Sequence, residues 1–417
     1  MNIARIGGGS RELASAEEIG AKAANLARMA ALGLPVPPAF VLPIRLCADV
    51  VAGKAHAAHD LRDGLQEGIA FLQKATGKSL GDHRNPLLVS VRSGAARSMP
   101  GMLDTVLNVG CTSMAVRGLI RCSGRPRLAW DCRRRFLESY AEAVAGLDPA
   151  PLAARLAELI AAEGAENDRE LDTEALERLA SDERKLLEDS DDGWLEDAAT
   201  QLDRSAQAVY RSWMSERAQT YRRLERLEHL EGTAVTIQAM VFGNGGPSSG
   251  AGVAFSRDPS TGEPQPVIDV LFDAQGEDVV SGRRTPDTEQ TLARGLPSVA
   301  DELGSVLRLL EREFRDVQDV EFTIEEGRLW ILQTRAAKRT PRAALKIAID
   351  LVHEELITRE QRGRGSQAST SPASSKRRWS RQGRRQPSGS APPPALRRAG
   401  RPLIPSKHSV SPPPAIQ

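Results

Sequence analysis

The spacing of apolar residues predicts helices and strands in separate stretches of the chain. Over residues 19–33 apolar side chains recur at helical spacing, and Gly33 with the prolines that follow it ends the helix. Residues 87–91 are an apolar run, typical of a buried strand that leads into a loop of small residues. From about 152 to 230 the chain is rich in Ala, Leu, Glu and Arg, which predicts two to four helices.

Strand patterns return in the last third of the sequence. Residues 234–242 and 252–256 are apolar and β-branched, and a loop of Gly, Asn, Pro and Ser separates them. A helix near 299–314 follows, and then two strands at 319–324 and 328–333. The order of these elements predicts the α+β class.

The last two strands form a predicted hairpin with a three-residue loop, 325–327, whose glycine takes the left-handed position. This loop pairs Glu321 with Ile331 and Asp319 with Gln333. Strand alternation then predicts one polar face and one apolar face. The polar face carries Asp319, Glu321 and Gln333, and the apolar face carries Val320, Phe322, Trp330 and Leu332. A two-residue loop would separate the polar residues.

Two carboxylates and an amide on one face offer the oxygen ligands that Mg²⁺ prefers. A solvated polar face is the alternative interpretation of the same pattern.

A second candidate site is the segment 90–102, which leads from the strand into a loop and contains Gly94 and Gly101, three serines, and the arginines Arg92 and Arg97. Free backbone N–H groups and guanidinium groups suit a polyphosphate. The loop lacks the Gly-Lys-Ser/Thr of a Walker A sequence, and an ordinary turn is the alternative. Lys22, near a predicted helix start, is either a further anion ligand or a surface lysine.

Charge is distributed unevenly along the 417 residues, although the formal net charge is only +1. Residues 361–417 contain 12 Lys or Arg and no acidic residue, which leaves 44 basic and 55 acidic residues before them, or −11. Rich in Pro and Ser and poor in apolar residues, this tail is expected to be disordered. A non-enzymatic alternative is that the basic tail binds nucleic acid.

The expected location is the cytoplasm, without membrane contact. No apolar run reaches the roughly 18 residues of a membrane span, and the N-terminus lacks the apolar region of a secretory signal. The four cysteines form no CxxC pair, which is typical of reduced thiols.

The order of the motifs resembles the N-terminal nucleotide-binding part of pyruvate, phosphate dikinase, a fold of the ATP-grasp type. The resemblance extends from about residue 19 to 358. It is carried by Gly20-Ala-Lys-Ala-Ala-Asn-Leu26, Ser90-Val-Arg-Ser-Gly94, Ser98-Met-Pro-Gly-Met102, Asp104-Thr-Val-Leu-Asn108, Ser249-Gly-Ala-Gly-Val-Ala-Phe255, Asp258-Pro-Ser-Thr-Gly-Glu263, Ala274-Gln-Gly-Glu-Asp-Val-Val280, Gln318-Asp-Val-Glu-Phe-Thr-Ile324 and Leu332-Gln-Thr-Arg335.

This resemblance implies a kinase-type phosphotransferase that uses ATP and Mg²⁺, with residue roles carried over by position. Lys22 and Arg92 would contact the ATP phosphates, and Glu321 and Gln333 would hold magnesium and nucleotide. Asp319 would be a further metal ligand, and Arg335, with Arg92, a catalytic residue. The loop from Gly94 through Arg97 to Gly101 would cover the polyphosphate, and Gln238 and Met240 would border the nucleotide.

The resemblance also implies a division of the chain. The expected parts are an N-terminal subdomain (1–110), a mainly helical region (111–232), a C-terminal subdomain with the hairpin (233–342), a linker helix (343–360) and the basic tail (361–417).

Three departures from the family pattern bear on function. Ala21 and Ala96 stand where the family usually has a glycine and an arginine. None of the six histidines has the Thr-Ser-His-Ala setting of the family's phosphohistidine carrier, and no pyruvate-binding barrel follows. We therefore expect a carrier in trans and no complete turnover by this chain alone. The loss of resemblance near Gln361 leaves two alternatives, a frameshifted fragment and a natural stand-alone ATP domain.

Overall fold

The computed structural model describes residues 2–188, 193–280 and 287–358, and the predicted basic tail lies outside these residues. Within them the protein mixes helices and strands, as the α+β prediction states. The strands are β1 (Ala4–Ile6), β2 (Ala39–Leu42), β3 (Ser79–Leu80), β4 (Pro86–Leu87), β5 (Val89–Ala95), β6 (Thr105–Val109), β7 (Thr233–Ala239), β8 (Gly250–Phe255), β9 (Val267–Phe272), β10 (Asp287–Thr288), β11 (Gln318–Glu325) and β12 (Arg328–Ala336).

The helices cluster in the middle of the chain and on the outer faces of the sheets. They are α1 (Ala16–Ile19), α2 (Ala21–Ala31), α3 (Cys47–Val51), α4 (Ala55–Thr76), α5 (Ser113–Ser123), α6 (Pro126–Ala143), α7 (Ala150–Glu163), α8 (Thr173–Leu187), α9 (Ala198–Arg211), α10 (Glu216–Leu224), α11 (Gly276–Val280), α12 (Glu289–Gly295), α13 (Pro297–Phe314) and α14 (Pro341–His353). In the part of the chain that the structure describes, no helix is both long and apolar enough to traverse a membrane.

Two antiparallel five-stranded sheets organise the molecule. The first has the order β1-β2-β7-β5-β6, and the second has the order β10-β9-β8-β11-β12. Strand β7 lies inside the first sheet although the predicted second subdomain begins at residue 233, so the second sheet itself starts at β8. This position of β7 is a long-range pairing with β2 and β5, which local patterns do not encode.

Separate apolar clusters cover the two faces of the first sheet. One cluster packs the sheet against α4, α6 and α9, with Phe40, Phe136 and Tyr210 fully buried. The other joins Val41 and α2 to the second sheet and α13, and its largest aromatic is Phe322. The described residues of the predicted helical stretch form four α-helices, α7 to α10, which confirms that prediction.

The hairpin of β11 and β12 differs from the predicted one in its turn. The turn has two residues, Glu326 and Gly327, at φ values of 50° and 77°. Positive φ at both positions is the type I′ geometry, whose twist matches the strands. The predicted pairs of Glu321 with Ile331 and of Asp319 with Gln333 are therefore wrong. Glu321 pairs with Gln333, and Asp319 pairs with Arg335.

A β-bulge restores the predicted proximity of the polar residues. The register shifts between Glu321 and Phe322, so Leu332 is an extra residue on β12. The expected apolar face is also corrected. Leu329 and Ile331, both fully buried, join Phe322 in the core, whereas Trp330 and Leu332 are only partly buried.

Candidate nucleotide site

Three charged side chains from distant parts of the sequence meet where the two sheets face each other. Lys22 lies in the first turn of α2, Arg92 on β5 and Glu321 on β11. Arg92 Nη2 lies 3.7 Å from Glu321 Oε2, with both side chains about a quarter exposed. Lys22 interacts electrostatically with both of them and with Arg335. The structure thus brings together the lysine of α2, the arginine of the first sheet and a carboxylate of the second sheet.

A close backbone contact fixes Lys22 beside the end of β5. Gly20 has a φ of 83°, and a Cβ atom there would lie 2.0 Å from the carbonyl oxygen of Gly94. Only glycine fits this approach. Gly94 is itself buried in β5, where its N–H donates to Thr233 Oγ1 at 3.0 Å. The Gly20 to Gly94 contact therefore sets the distance between the start of α2 and Arg92.

Burial in this cleft lowers the pKa of Lys22 to about 8. Desolvation is the largest cause, and the positive charge of Arg92 lowers the pKa further, while Glu321 raises it. An anion between Lys22 and Arg92 would supply the negative charge that this cluster lacks.

Carboxylate and amide groups occupy the facing strands of the hairpin. Gln333 Nε2 donates to Glu321 Oε1 at 3.3 Å, and Arg335 Nε donates to Asp319 Oδ2 at 2.7 Å. The Asp319 side chain is 9% exposed, and that of Arg335 is 43% exposed. The second oxygen, Asp319 Oδ1, is buried without a hydrogen-bond partner among the described residues. A buried acceptor without a partner is costly, so it marks a position where a cation would be favourable.

These residues fit a magnesium ion that shares its coordination with phosphate. Mg²⁺ is usually bound through one or two carboxylates, and phosphate oxygens and water complete the shell. Within the described ranges no three His, Cys, Asp or Glu side chains form a metal cluster. The set of Asp319, Glu321 and Gln333 is therefore too sparse for an ion held by protein alone.

A cavity of about 510 Å³ lies beside this cluster, between β5, β7 and β11. Arg92 and Glu321 line its polar end. Gln238 lines it from β7 and Met240 from the segment after that strand, and Gln238 Nε2 donates to the carbonyl oxygen of Pro37 at 3.1 Å. The remaining wall is largely apolar and includes Leu332, the bulge residue. A flat apolar slot beside a charged end suits a nucleotide.

Sequence reasoning missed Leu332, Gln275 and Glu277 as lining residues. Burial raises the pKa of Glu277, and its partner Arg135 opposes that shift. Arg135 Nη1 donates to Glu277 Oε2 at 2.7 Å, which links the middle of α6 to the cavity wall. Glu277 belongs to one of the motifs that carry the family resemblance. Its position in an acidic pair after Gly276 is the feature of the sequence that could have indicated a residue at the site.

The glycine-loop residues are less close to the cluster. Arg97 and Gly101 are both exposed, in the loop between β5 and β6, and neither lines the 510 Å³ cavity. Their predicted contact with a polyphosphate stays a prediction.

A larger cavity, of about 850 Å³, lies on the other side of the Ala239–Phe242 connection. Its walls are the Gly7–Arg11 turn, the Pro35–Pro38 segment and Trp330. Neither Arg92 nor Glu321 lines it, whereas both line the smaller cavity, and Lys22 lines neither of the two. The charged cluster therefore singles out the smaller cavity as the candidate site.

The class of protein is α+β, with two antiparallel sheets. Arg92 of the first sheet and Lys22 of α2 meet a carboxylate of the second sheet in a cleft suited to phosphate groups and a cation. Comparison with known proteins gives the family. The model of the pyruvate phosphate dikinase AMP/ATP-binding domain matches residues 53–300 and 297–356, and the chain belongs to this family.

Curated relatives agree with this assignment. The chain is similar to pyruvate, phosphate dikinase of Rhizobium meliloti (strain 1021), with 43% identity over 358 residues, 83% of this chain and 40% of the relative. It is 41% identical to the Clostridium symbiosum enzyme over 82% of this chain and 40% of the relative. It is 44% identical to the chloroplastic enzyme 1 of Arabidopsis thaliana over 81% of this chain and 35% of the relative. The chain thus spans well under half the length of these relatives.

Proposed function

We propose that this chain binds Mg-ATP in the cleft between the two sheets and transfers a phosphoryl group to a histidine carrier in trans. The observation that carries the proposal is the meeting of Lys22, Arg92 and Glu321 across the cleft, beside a cavity of about 510 Å³. The family to which the chain belongs is described as an AMP/ATP-binding domain. We propose that the fold is of the ATP-grasp type, in which two sheets enclose a nucleotide.

The nucleotide would lie with its base in the apolar slot and its phosphates at the charged end. Leu332 and Met240 would contact the base, and Gln238 would fix the orientation of the base from strand β7. Arg92 and Lys22 would then bind the phosphate oxygens with charge-assisted hydrogen bonds. The glycine loop would cover the polyphosphate through Gly94, Arg97 and Gly101.

Asp319, Glu321 and Gln333 would hold magnesium on the side of the phosphates that faces the second sheet. A bound Mg²⁺ neutralises charge on the phosphates and orients them. In phosphoryl transfer the protein mainly positions groups and stabilises charge. Arg92, beside Glu321, and Arg335, beside Asp319, would stabilise the charge on the transferred group.

In the full reaction of the family, ATP, phosphate and pyruvate become AMP, diphosphate and phosphoenolpyruvate, and this chain would supply the ATP half. We also propose the cytoplasm as its location, because Cys47, Cys111, Cys122 and Cys132 are all unpaired thiols. We further propose the subdomain division that the sequence predicts, with the helical region between β6 and β7 in sequence and with β7 returning to the first sheet.

The metal part of the proposal is tested with Glu321→Gln. We expect the parent to bind ATP at least about tenfold more tightly with Mg²⁺ than with EDTA, and the variant to lose most of this difference because a carboxylate ligand is gone. Calorimetric titration with ATP, with and without Mg²⁺, measures both.

Glu326→Gln is the matched control, since Glu326 is an exposed residue of the hairpin turn next to the same strand. It should behave like the parent. A Glu321→Gln protein with the full magnesium effect would refute this metal site, and a parent without any ATP affinity would refute the function.

A further inference from the structure

The glycine loop between β5 and β6 is anchored differently at its two ends. At the β5 end it follows Gly94, which contacts Gly20. In the middle, Met99 is buried in the first-sheet core, while Arg97 and Gly101 are exposed. The exposed part of the loop is therefore a short stretch between fixed points, and the fixed point at the β6 end decides how far it can move.

That second fixed point belongs to the helical region. Arg217 of α10 donates from Nε to the carbonyl oxygen of Met102 at 3.2 Å, and its Nη2 forms an ion pair with Asp104. The Asp104 N–H donates to Ser212 Oγ at 3.2 Å, and Ser212 Oγ donates to the carbonyl oxygen of Val209 at 2.7 Å. Three hydrogen bonds from a segment more than 100 residues away thus hold the last residues of the loop.

The positive charge of Arg217 compensates the half-buried carboxylate of Asp104. Burial raises the pKa of Asp104, and Glu142 raises it further, whereas Arg217 lowers it. Without the guanidinium the half-buried carboxylate of Asp104 would face a like charge, which favours an open loop.

We propose that Arg217 is a positioning residue that holds the β5–β6 loop in the conformation that covers the ATP phosphates. This inference rests on the proposed function and gives the helical region a role at the nucleotide site. A loop that is ordered before binding loses less conformational entropy when the ligand arrives. Arg217 itself lies outside the cavity and would act through Met102 and Asp104.

Limited trypsin digestion without nucleotide tests the positioning. The Arg97–Ser98 bond lies in the exposed part of the loop, and cleavage of a transiently opened segment follows the population of its open form. Formation of the 1–97 fragment, followed by mass spectrometry, should be about fivefold faster in Arg217→Gln than in the parent. Arg223→Gln, an exposed arginine of the same helix, is the matched control and should leave the rate unchanged.

A double substitution distinguishes loss of the Arg217–Asp104 ion pair from a general loss of stability. Asp104→Asn alone should also speed cleavage at Arg97, and Arg217→Gln with Asp104→Asn should be little faster than either single variant, because both remove the same pair. The proposal would be overturned if the two substitutions had additive effects on the cleavage rate, or if Arg217→Gln were cleaved at Arg97 as slowly as the parent. If circular dichroism shows that Arg217→Gln is unfolded, Arg217→Lys replaces it, because lysine lacks the Nε donor to Met102. Cleavage of Arg217→Lys at Arg97 at the same rate as the parent would also overturn the proposal.

Trypsin digestion in the presence of Mg-ATP tests the role of the loop separately from ATP binding. Mg-ATP should slow cleavage of the parent at Arg97, and should slow it less in Arg217→Gln. Parent protein that binds Mg-ATP by calorimetry without any protection of Arg97 would overturn the covering role of the loop while leaving ATP binding intact. Parent protein without ATP affinity would instead refute the proposed function.

Discussion

At the scale of single residues, the central feature is a lysine held close to an arginine. Lys22 is half-buried beside Arg92, and its pKa is lowered to about 8. Two positive charges this close repel each other, and an anion between them would offset that repulsion.

The lowered pKa predicts a pH-dependent affinity for ATP. Below pH 8 Lys22 carries a proton and attracts phosphate, and above pH 8 it becomes neutral, so Mg-ATP binding should weaken between pH 8 and 9.5. Lys22→Arg keeps the charge over this range and should bind with little pH dependence. Titrations at pH 7, 8 and 9 measure this. Parallel pH profiles for parent and variant would show that Lys22 does not contact the phosphates.

At the scale of elements, the hairpin of β11 and β12 shows which features of strand pairing the sequence pattern predicts. Alternation along β11 correctly predicts Asp319 and Glu321 on one face, because a strand has a period of two. The pattern on β12 is misleading, since the two-residue turn and the bulge at Leu332 each shift the register by one residue in the same direction. The total shift of two residues keeps Gln333 on the polar face but pairs it with Glu321 instead of Asp319. Neither shift has a clear local signal, because turn length and bulges depend on pairing with the neighbouring strands.

The helix pair α6 and α8 carries a buried acid that makes stability depend on pH. Glu183 of α8 is fully buried, and its pKa is raised to about 9, first by desolvation and then by Glu138 of α6. In the unfolded chain the pKa is near 4.5. Between these values the folded state binds one more proton, so this group lowers stability as pH rises, by up to about 1.4 kcal/mol per pH unit.

Glu183→Gln should therefore raise the melting temperature more at pH 8 than at pH 5, because the amide stays neutral at both. Glu177→Gln, an exposed residue of the same helix, should change it by a small and equal amount at both pH values. Thermal unfolding followed by circular dichroism measures both. An equal effect of Glu183→Gln at pH 5 and pH 8 would show that Glu183 is ionised in the fold.

At the scale of the whole molecule, the motifs predicted the family, and their order located the candidate site. The long-range pairing was not predictable from local patterns. Strand β7 belongs to the first sheet although it follows the helical region, and α6 reaches the cavity through Arg135 and Glu277. Such contacts are set by packing between segments that are far apart in sequence.

The sequence around the histidines predicts that this chain needs a separate phosphohistidine carrier. We expect purified chain to form no phosphoenolpyruvate from ATP, phosphate and pyruvate, because none of its six histidines has the setting of the family's carrier. A coupled assay for phosphoenolpyruvate measures this, with a complete enzyme of the family as the positive control. Sustained product formation by the chain alone would contradict the need for a carrier in trans.

The most direct test of the account is the affinity of Mg-ATP for the parent and for Arg92→Gln, measured by isothermal titration calorimetry. Arg92 faces Glu321 in the cleft, so its loss should weaken binding by about 10- to 150-fold, or about 1.5 to 3 kcal/mol. Arg62→Gln, an exposed arginine on α4, should bind like the parent. Equal affinity in the parent and in Arg92→Gln would contradict a nucleotide site between the two sheets.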